Sequence, residues 1–501
     1  MQNLDTLLPH LEHPARVVAR LLEHIRETSV DASQIPDLLE ASCNHLDTLE
    51  RRLDDLYQHT PQDSNLKPRI NNLKSLLKSS KDFSLLQIAS GLADLQGMTE
   101  TMDASVPAML RECQALASAA MQDNLSGAEF CRLGSETGDM DDLQKWQLLH
   151  LEALLLGDQG REFGDDSALQ SAIELLRSQA LILTQKHKRT EQQAITLETL
   201  GTLLGIIGQR RSGTRYLEES VQAYNKALEL CDPETTGALW ASAQNGLGNA
   251  LGALGQRQSD DELCNQAIEA FDQALQFRGE QKTPDEWAST LNNMAAVLHS
   301  LGRKNKDPKI LKRAVDTYKE VLRVWTKSGT PLDWATAMFN LGTALSSLGE
   351  HRRGPRTLEQ AIAAYNSALS IRSRELLPEQ WAITQNNLGT ALQKLSEREN
   401  SIELMKGAID AYQDTLKVWT QESMPMTWAM SMANLGVARR QLAEMSNDME
   451  IADRAVSEIS SAVKVFRGAS HAKYTELGAE QLSLARQLLA KLIAEERTGR
   501  E

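Results

Sequence analysis

WASAQNGLGNALGALG (240–255), WASTLNNMAAVLHSLG (287–302), WATAMFNLGTALSSLG (334–349), WAITQNNLGTALQKLS (381–396) and WAMSMANLGVARRQLA (428–443) are five versions of one segment, set 47 residues apart without a slip. A second series keeps the period: Tyr224, Phe271, Tyr318, Tyr365 and Tyr412, closed by Ile459. Each stands four residues after a small one, namely Ser220, Ala267, Ala314, Ala361, Ala408 and Ala455. Self-similarity of this kind marks stacked supersecondary units that share one continuous core. Within a unit, Trp287, Leu291, Met294, Leu298 and Leu301 step by 4-3-4-3, the apolar stripe of a helix. Pro284, Pro331, Pro378 and Pro425 stand three residues before the Trp and suit a first helical turn. At the far end Gly255, Gly302 and Gly349 suit a left-handed C-cap. A second helix follows, carrying for example Ala314, Val315, Tyr318, Val321, Leu322 and Trp325. Alternating β-branched runs and hairpin dipeptides are absent. The spacing predicts an all-α chain, a solenoid of helix-turn-helix repeats with the Trp series in its core.

The array has degenerate ends. One period before Trp240 lies Gln193, where AITLETLGTLLGIIG keeps the first-helix pattern, but KWQLLHLEALLLG around Trp146 has lost the register. Beyond the last repeat Thr475 replaces the Trp while Leu482 and Leu489 keep core spacing, which reads as a capping helix and tail over 471–501. The repeats therefore span 145–470. Residues 1–125 differ: Leu39, Cys43, Leu46, Leu49, Leu53 and Leu56 form one stripe, Ile70, Leu73 and Leu77 another. Met102, Val106, Met109, Cys113, Leu116 and Ala120 form a third, so a bundle of helices is expected, joined to the array by a Gly-rich linker over 126–144. Such heptad-like spacing suits packing within the chain first, with coiled-coil pairing of two copies into a homodimer as the alternative.

L-G-x-x-L in the first helix (Leu247, Gly248, Leu251; Leu388, Gly389, Leu392) and A-x-x-x-F/Y in the second resemble the tetratricopeptide repeat. The resemblance covers roughly 145–470. It implies a right-handed superhelix whose first helices line a concave groove that binds partner proteins. Two departures stand out. The family's usual repeat has about 34 residues, and the Trp here sits about one turn before the family's own Trp position, occupied by Gln244, Leu291, Met338, Gln385 and Met432. Long variants with N-N-L-G or N-N-M-A look similar to kinesin light chains and bacterial tetratricopeptide arrays.

The chain of 501 residues is 41% hydrophobic and 24% charged, too apolar for disorder. Its net charge of −15 argues against a nucleic-acid partner, which needs a basic surface. No apolar run is long enough to cross a membrane, and the start MQNLDTLLPHLEH lacks the features of a secretory signal. Five cysteines without a C-x-x-C read as reduced thiols, hence a cytoplasmic location. There is no P-loop, no H-E-x-x-H and no G-x-S-x-G. His10 and His13 share a face but find no third ligand, so neither metal, cofactor nor catalytic residues are expected.

By the resemblance, the residues just before each L-G pair face the groove. Here they are Asn245, Asn292, Asn293, Asn340, Asn386, Asn387 and Asn434, with Asn249 one turn on. A carboxamide both donates and accepts, so a row of Asn at repeat spacing suits the main chain of an extended segment. It equally suits hydrogen bonds between neighbouring helices that fix the stack. No cation accompanies these positions, which disfavours a clamp for a C-terminal carboxylate. Positive charge sits in the loops after the first helices instead, at Arg210, Arg211, Arg215, Arg257, Arg303, Lys304, Lys306, Arg352, Arg353, Arg356 and Arg398. Helix macrodipoles account for cations there, and an acidic partner is the rival explanation. The expected function is a non-enzymatic protein-interaction scaffold, with a regulatory or sensor subunit of a separately encoded effector enzyme as the alternative.

Overall fold

The computed structural model describes residues 35–498 apart from 63, 79–84, 100, 101, 103, 104 and 137–139. His10 and His13 lie outside the described residues. Among the described residues every regular element is a helix, and none is long and apolar enough to cross a membrane. Two compact units divide the chain, Met1–Val297 and Leu298–Glu501.

The first unit opens with α1 (Ile35–His59), α2 (Leu66–Lys78), α3 (Leu85–Thr99), α4 (Ser105–Ala120) and α5 (Asn124–Ser135). The apolar stripes bury themselves here: Leu39, Leu49, Leu53, Ile70, Cys113 and Leu116 are all inaccessible. Residues 126–144 are not a loose linker, because 126–135 belong to α5, capped by Asp123 Oδ1 accepting from Ser126 N–H at 3.1 Å. The glycines there serve close packing. A Cβ on Gly127 would lie 2.9 Å from Leu155 Cδ1, and one on Gly134 3.0 Å from Leu148 Cδ1.

Helix α6 (Asp142–Phe163) packs on α7 (Asp166–Leu175), which runs through a π-turn at Leu176–Ala180 into α8 (Leu181–Lys186). Regular pairs follow: α9 (Thr190–Arg210) with α10 (Arg215–Leu230), then α11 (Gly237–Gln258) with α12 (Asp261–Ala274). The unit ends within α13 (Pro284–Lys304). In the second unit α14 (Pro308–Val324) packs on the end of α13. The pairs α15 (Pro331–Glu350) with α16 (Arg356–Leu369), α17 (Pro378–Glu399) with α18 (Ile402–Thr415), and α19 (Pro425–Ser446) with α20 (Met449–Gly468) come next. Helix α21 (Ala472–Thr498) closes the chain against α20. All four prolines of the sequence pattern are first residues of their helices. The long period arises from first helices of 20–22 residues and a linker such as 416–424 between repeats.

Two further expectations fail. Gly255, Gly302 and Gly349 are not caps but lie inside their helices, where Cβ atoms would meet Cys264 Sγ at 2.8 Å, Leu311 N at 2.9 Å and Leu358 Cδ2 at 2.8 Å. The left-handed residue is non-glycine: Ser259, Lys306, Asn400 and Asn447 have φ between 50° and 56°. Each is followed by an N-cap, Asp260, Asp307, Ser401 or Asp448, whose side chain accepts from the next helix's N–H groups. The Trp series is not core either. Trp240, Trp287, Trp334, Trp381 and Trp428 are all half-buried. The fully buried series is the other one, Phe271, Tyr318, Tyr365, Tyr412 and Ile459, with the small residues four positions before them.

Candidate functional site

The aromatic series sets how each first helix presents its faces. Its rings lie directly on the first-helix backbone, where a Cβ on Gly201, Gly248, Gly342 or Gly389 would come within 3.0 Å of Tyr224, Phe271, Tyr365 or Tyr412. The glycine of L-G-x-x-L is therefore the seat for that ring. Burial pushes the Tyr224, Tyr365 and Tyr412 hydroxyls above their ordinary pKa, and each meets a first-helix threonine: Thr202 at 2.9 Å, Thr343 at 3.2 Å and Thr390 at 3.0 Å. In the repeat where Phe271 replaces Tyr, the threonine's place is taken by Asn249.

With the seam fixed, the asparagines fall beside it, and all eight are half-buried. Four form pairs between adjacent repeats. Asn293 Nδ2–H donates to Asn245 Oδ1 at 3.4 Å in the first unit, and Asn434 Nδ2–H donates to Asn386 Oδ1 at 3.2 Å in the second. Asn292 and Asn340 are likewise engaged. In these pairs a carboxamide fixes the stack, while each member keeps unused donors or acceptors. Asn387 and Asn249 differ. The register offers Asn387 Phe339 in place of an asparagine one repeat back, and Asn249 belongs to the repeat whose ring, Phe271, has no hydroxyl. Neither has a side-chain partner among the described residues. Nearby, Ser242 Oγ–H donates to Glu198 Oε1 at 2.9 Å, and burial raises the pKa of that carboxyl despite this bond.

Three cations of the basic edge serve the fold itself. Arg257 Nη1–H groups donate to Gly208 O and Gly213 O at 2.7 and 2.6 Å, and Arg398 donates to Gly349 O and Gly354 O at 2.6 and 3.2 Å. Arg210 does the same to Gly160 O at 2.8 Å and Arg161 O at 3.0 Å. Each guanidinium closes the carbonyl end of the first helix one repeat earlier, where free carbonyls and the helix dipole favour a cation. Arg303, Arg352, Arg353 and Arg356 remain exposed.

One periodic series escaped the sequence reading. The linker position after each second helix holds Arg278, Trp325, Arg372 and Trp419, with Thr290, Ala337, Thr384 and Ser431 twelve residues later. Arg278 Nη1–H donates to Thr290 Oγ1 at 2.8 Å and Arg372 Nη1–H to Thr384 Oγ1 at 3.1 Å. Arg372 also donates to Thr336 Oγ1 at 3.1 Å and lies over the Phe339 ring at 4.8 Å, and burial depresses its pKa to about 10. Trp325 and Trp419 are buried in the alternate repeats. The Arg–Thr, Trp–small alternation at twice the repeat period was legible in the sequence and marks how each linker tucks under the next first helix.

Stacked helix pairs with this seam define a helical-repeat protein. A tetratricopeptide repeat family model matches residues 287–322, most of one first helix and of the second helix that follows it. Several solved structures are similar in outline. The crystal structure of BtubC (BKLC) from P. vanneervenii is 18% identical, covering 51% of this chain and 92% of that one with a TM-score of 0.38. The human IFIT1 dimer with m7Gppp-AAAA is 14% identical, covering 89% and 95% with a TM-score of 0.32. The APC/C hetero-tetramer Cut9–Hcn1 is 12% identical, covering 94% and 92% with a TM-score of 0.32. Likeness at this level carries no argument about partners. No curated protein matches the chain by sequence.

Proposed function

We propose that this chain is an interaction scaffold or adaptor, without catalysis of its own, that binds extended segments of partner proteins along the asparagine-bearing faces of its first helices. The observation that carries the reading is the contrast within the asparagine rows. Most members pair with each other or are otherwise engaged, yet Asn249 and Asn387 keep a half-buried carboxamide with no internal use. Asparagine is a poor interior helix former, so a carboxamide that fixes nothing within the fold suits a ligand's main chain. The net charge of −15 supports protein over nucleic acid as the partner.

Photo-crosslinking from these two positions tests the proposal. A photoreactive side chain at 387 or 249 should crosslink internal stretches of a second protein in cell extract, and the same group at exposed Glu403 should not. Crosslinks that map only to this chain, or equally from 403, would refute it.

A further inference from the structure

In the second unit a cavity of about 340 Å³ opens between α19, the end of α20 and the closing helix α21. Its walls are chiefly apolar: Trp419 and Phe466 form the buried side, and Leu477 of α21, 48% exposed, stands at the mouth. Among the described residues no charged side chain lines it. The Asn386–Asn434 pair borders it, so the cavity joins the asparagine-bearing face described above.

Two polar atoms in its wall have no partner. Ser431 is 1% exposed and its Oγ makes no hydrogen bond, and Gln481 Oε1 of α21 is likewise buried and unsatisfied. The repeat pattern explains the serine. At the matching place in other repeats Thr290 and Thr384 accept from Arg278 and Arg372 and donate to Glu286 O and Gln380 O. Beside Ser431 the linker carries Trp419 instead of arginine, and the hydroxyl makes neither bond. Buried polar groups without partners are rare and unfavourable, so these two invite a ligand that brings its own donors and acceptors.

We propose that this cavity receives one large apolar side chain from an internal, extended segment of a second protein, with Ser431 and Gln481 holding the adjoining main-chain amides. This rests on the scaffold reading and gives it a location. The occupant is neutral because the walls are, which excludes a free terminal carboxylate or an acidic motif as the group that enters. Gln481 Oε1 accepts a main-chain N–H, and the Ser431 hydroxyl serves the carbonyl or the next N–H. The volume lies at the lower end for small-ligand pockets, roughly 300–1,000 Å³, which suits a Leu, Met or Phe side chain with its own amide.

The test uses the full chain and a library of twelve-residue segments displayed inside a loop of a carrier protein, so that no free end is offered. Selected segments, synthesised with acetyl and amide ends, are titrated by fluorescence anisotropy. They should share one large apolar position. Ser431→Ala and Gln481→Leu should each weaken binding about tenfold, the loss expected for one hydrogen bond to a buried group. The Ser431→Ala variant should melt no lower than the parent, since its hydroxyl has no partner in the free protein. Binders indifferent to both variants would overturn the cavity assignment alone. A lower melting temperature in Ser431→Ala with unchanged affinity would overturn it in favour of a packing role. Equal affinity for N-acetyl-leucine methylamide would overturn it in favour of a small apolar amide as ligand. A library that yields no binder at all would count against the scaffold reading itself.

Discussion

Helix α6 and the first helices of the array carry tryptophans of opposite character. Trp146 has lost the repeat register, yet it is buried, donates its Nε1–H to Thr196 Oγ1 at 2.9 Å and stacks on His150 at 5.1 Å. The five tryptophans that keep the register are half-buried, and Trp334 has Lys327 over its ring at 5.6 Å. Recurrence therefore identifies equivalent positions, not buried ones. A residue repeats because every repeat presents it with the same neighbours, and a helix start offers those at its rim. Burial follows the seam, where a second-helix ring meets a first-helix glycine.

The largest effect should come from the seam itself. Tyr365 is 1% exposed, its ring covers Gly342 and its hydroxyl bonds Thr343. Tyr365→Ala should cost about 4–5 kcal/mol in urea unfolding, through cavity formation and the lost hydrogen bond to Thr343. A cost below that of Trp334→Ala would break the comparison. Next, Trp146→Ala should cost about 3–4 kcal/mol against about 1–2 kcal/mol for Trp334→Ala, because only the former is fully enclosed.

The α6 region should also answer to pH. Burial lifts the Glu152 carboxyl from 4.5 to about 7, and its Oε2 has no partner. The folded chain thus keeps a proton that the unfolded chain releases above pH 4.5. The stability this group contributes is whole below that pH and is lost as pH rises through about 7. Glu152→Gln should leave the urea midpoint unchanged at pH 4 and raise stability by roughly 2 kcal/mol at pH 8. An equal gain at both pH values would show that the carboxyl ionises normally.

The repeat period, the prolines that start each first helix, and the small-residue partners of the aromatic series were all legible in the sequence, because each reflects local chemistry repeated in register. The glycines were not. A glycine near a helix end reads equally as a left-handed cap or as a place where another chain segment comes close, and only the helix separation decides. Gly255 and Gly302 turned out to be contact points, and the caps fell to Ser259 and Lys306. The same ambiguity hid α5, whose Gly127 and Gly134 sit under neighbouring leucines. Of the candidate site, the asparagine rows were visible as spacing. Which of them pair depends on the residue one repeat away, as Phe339 shows for Asn387.

That last dependence supports the smallest and most specific prediction. Asn386 and Asn387 are neighbours in sequence and both half-buried, but only Asn386 is bonded, by Asn434 at 3.2 Å. Neutral hydrogen bonds contribute about 0.5–1.5 kcal/mol net, and partial exposure places this one at the lower end. A double-mutant cycle with Asn386→Ala and Asn434→Ala should therefore give a coupling of about 0.5–1 kcal/mol. Asn387→Ala should leave the urea midpoint where it is or raise it slightly, since alanine is the better helix former. Zero coupling between 386 and 434 would mean the pair does not hold the stack, and both would join Asn387 as groups addressed to a partner. A clear loss of stability in Asn387→Ala would give that residue a structural role and remove the contrast on which its assignment to the binding face depends.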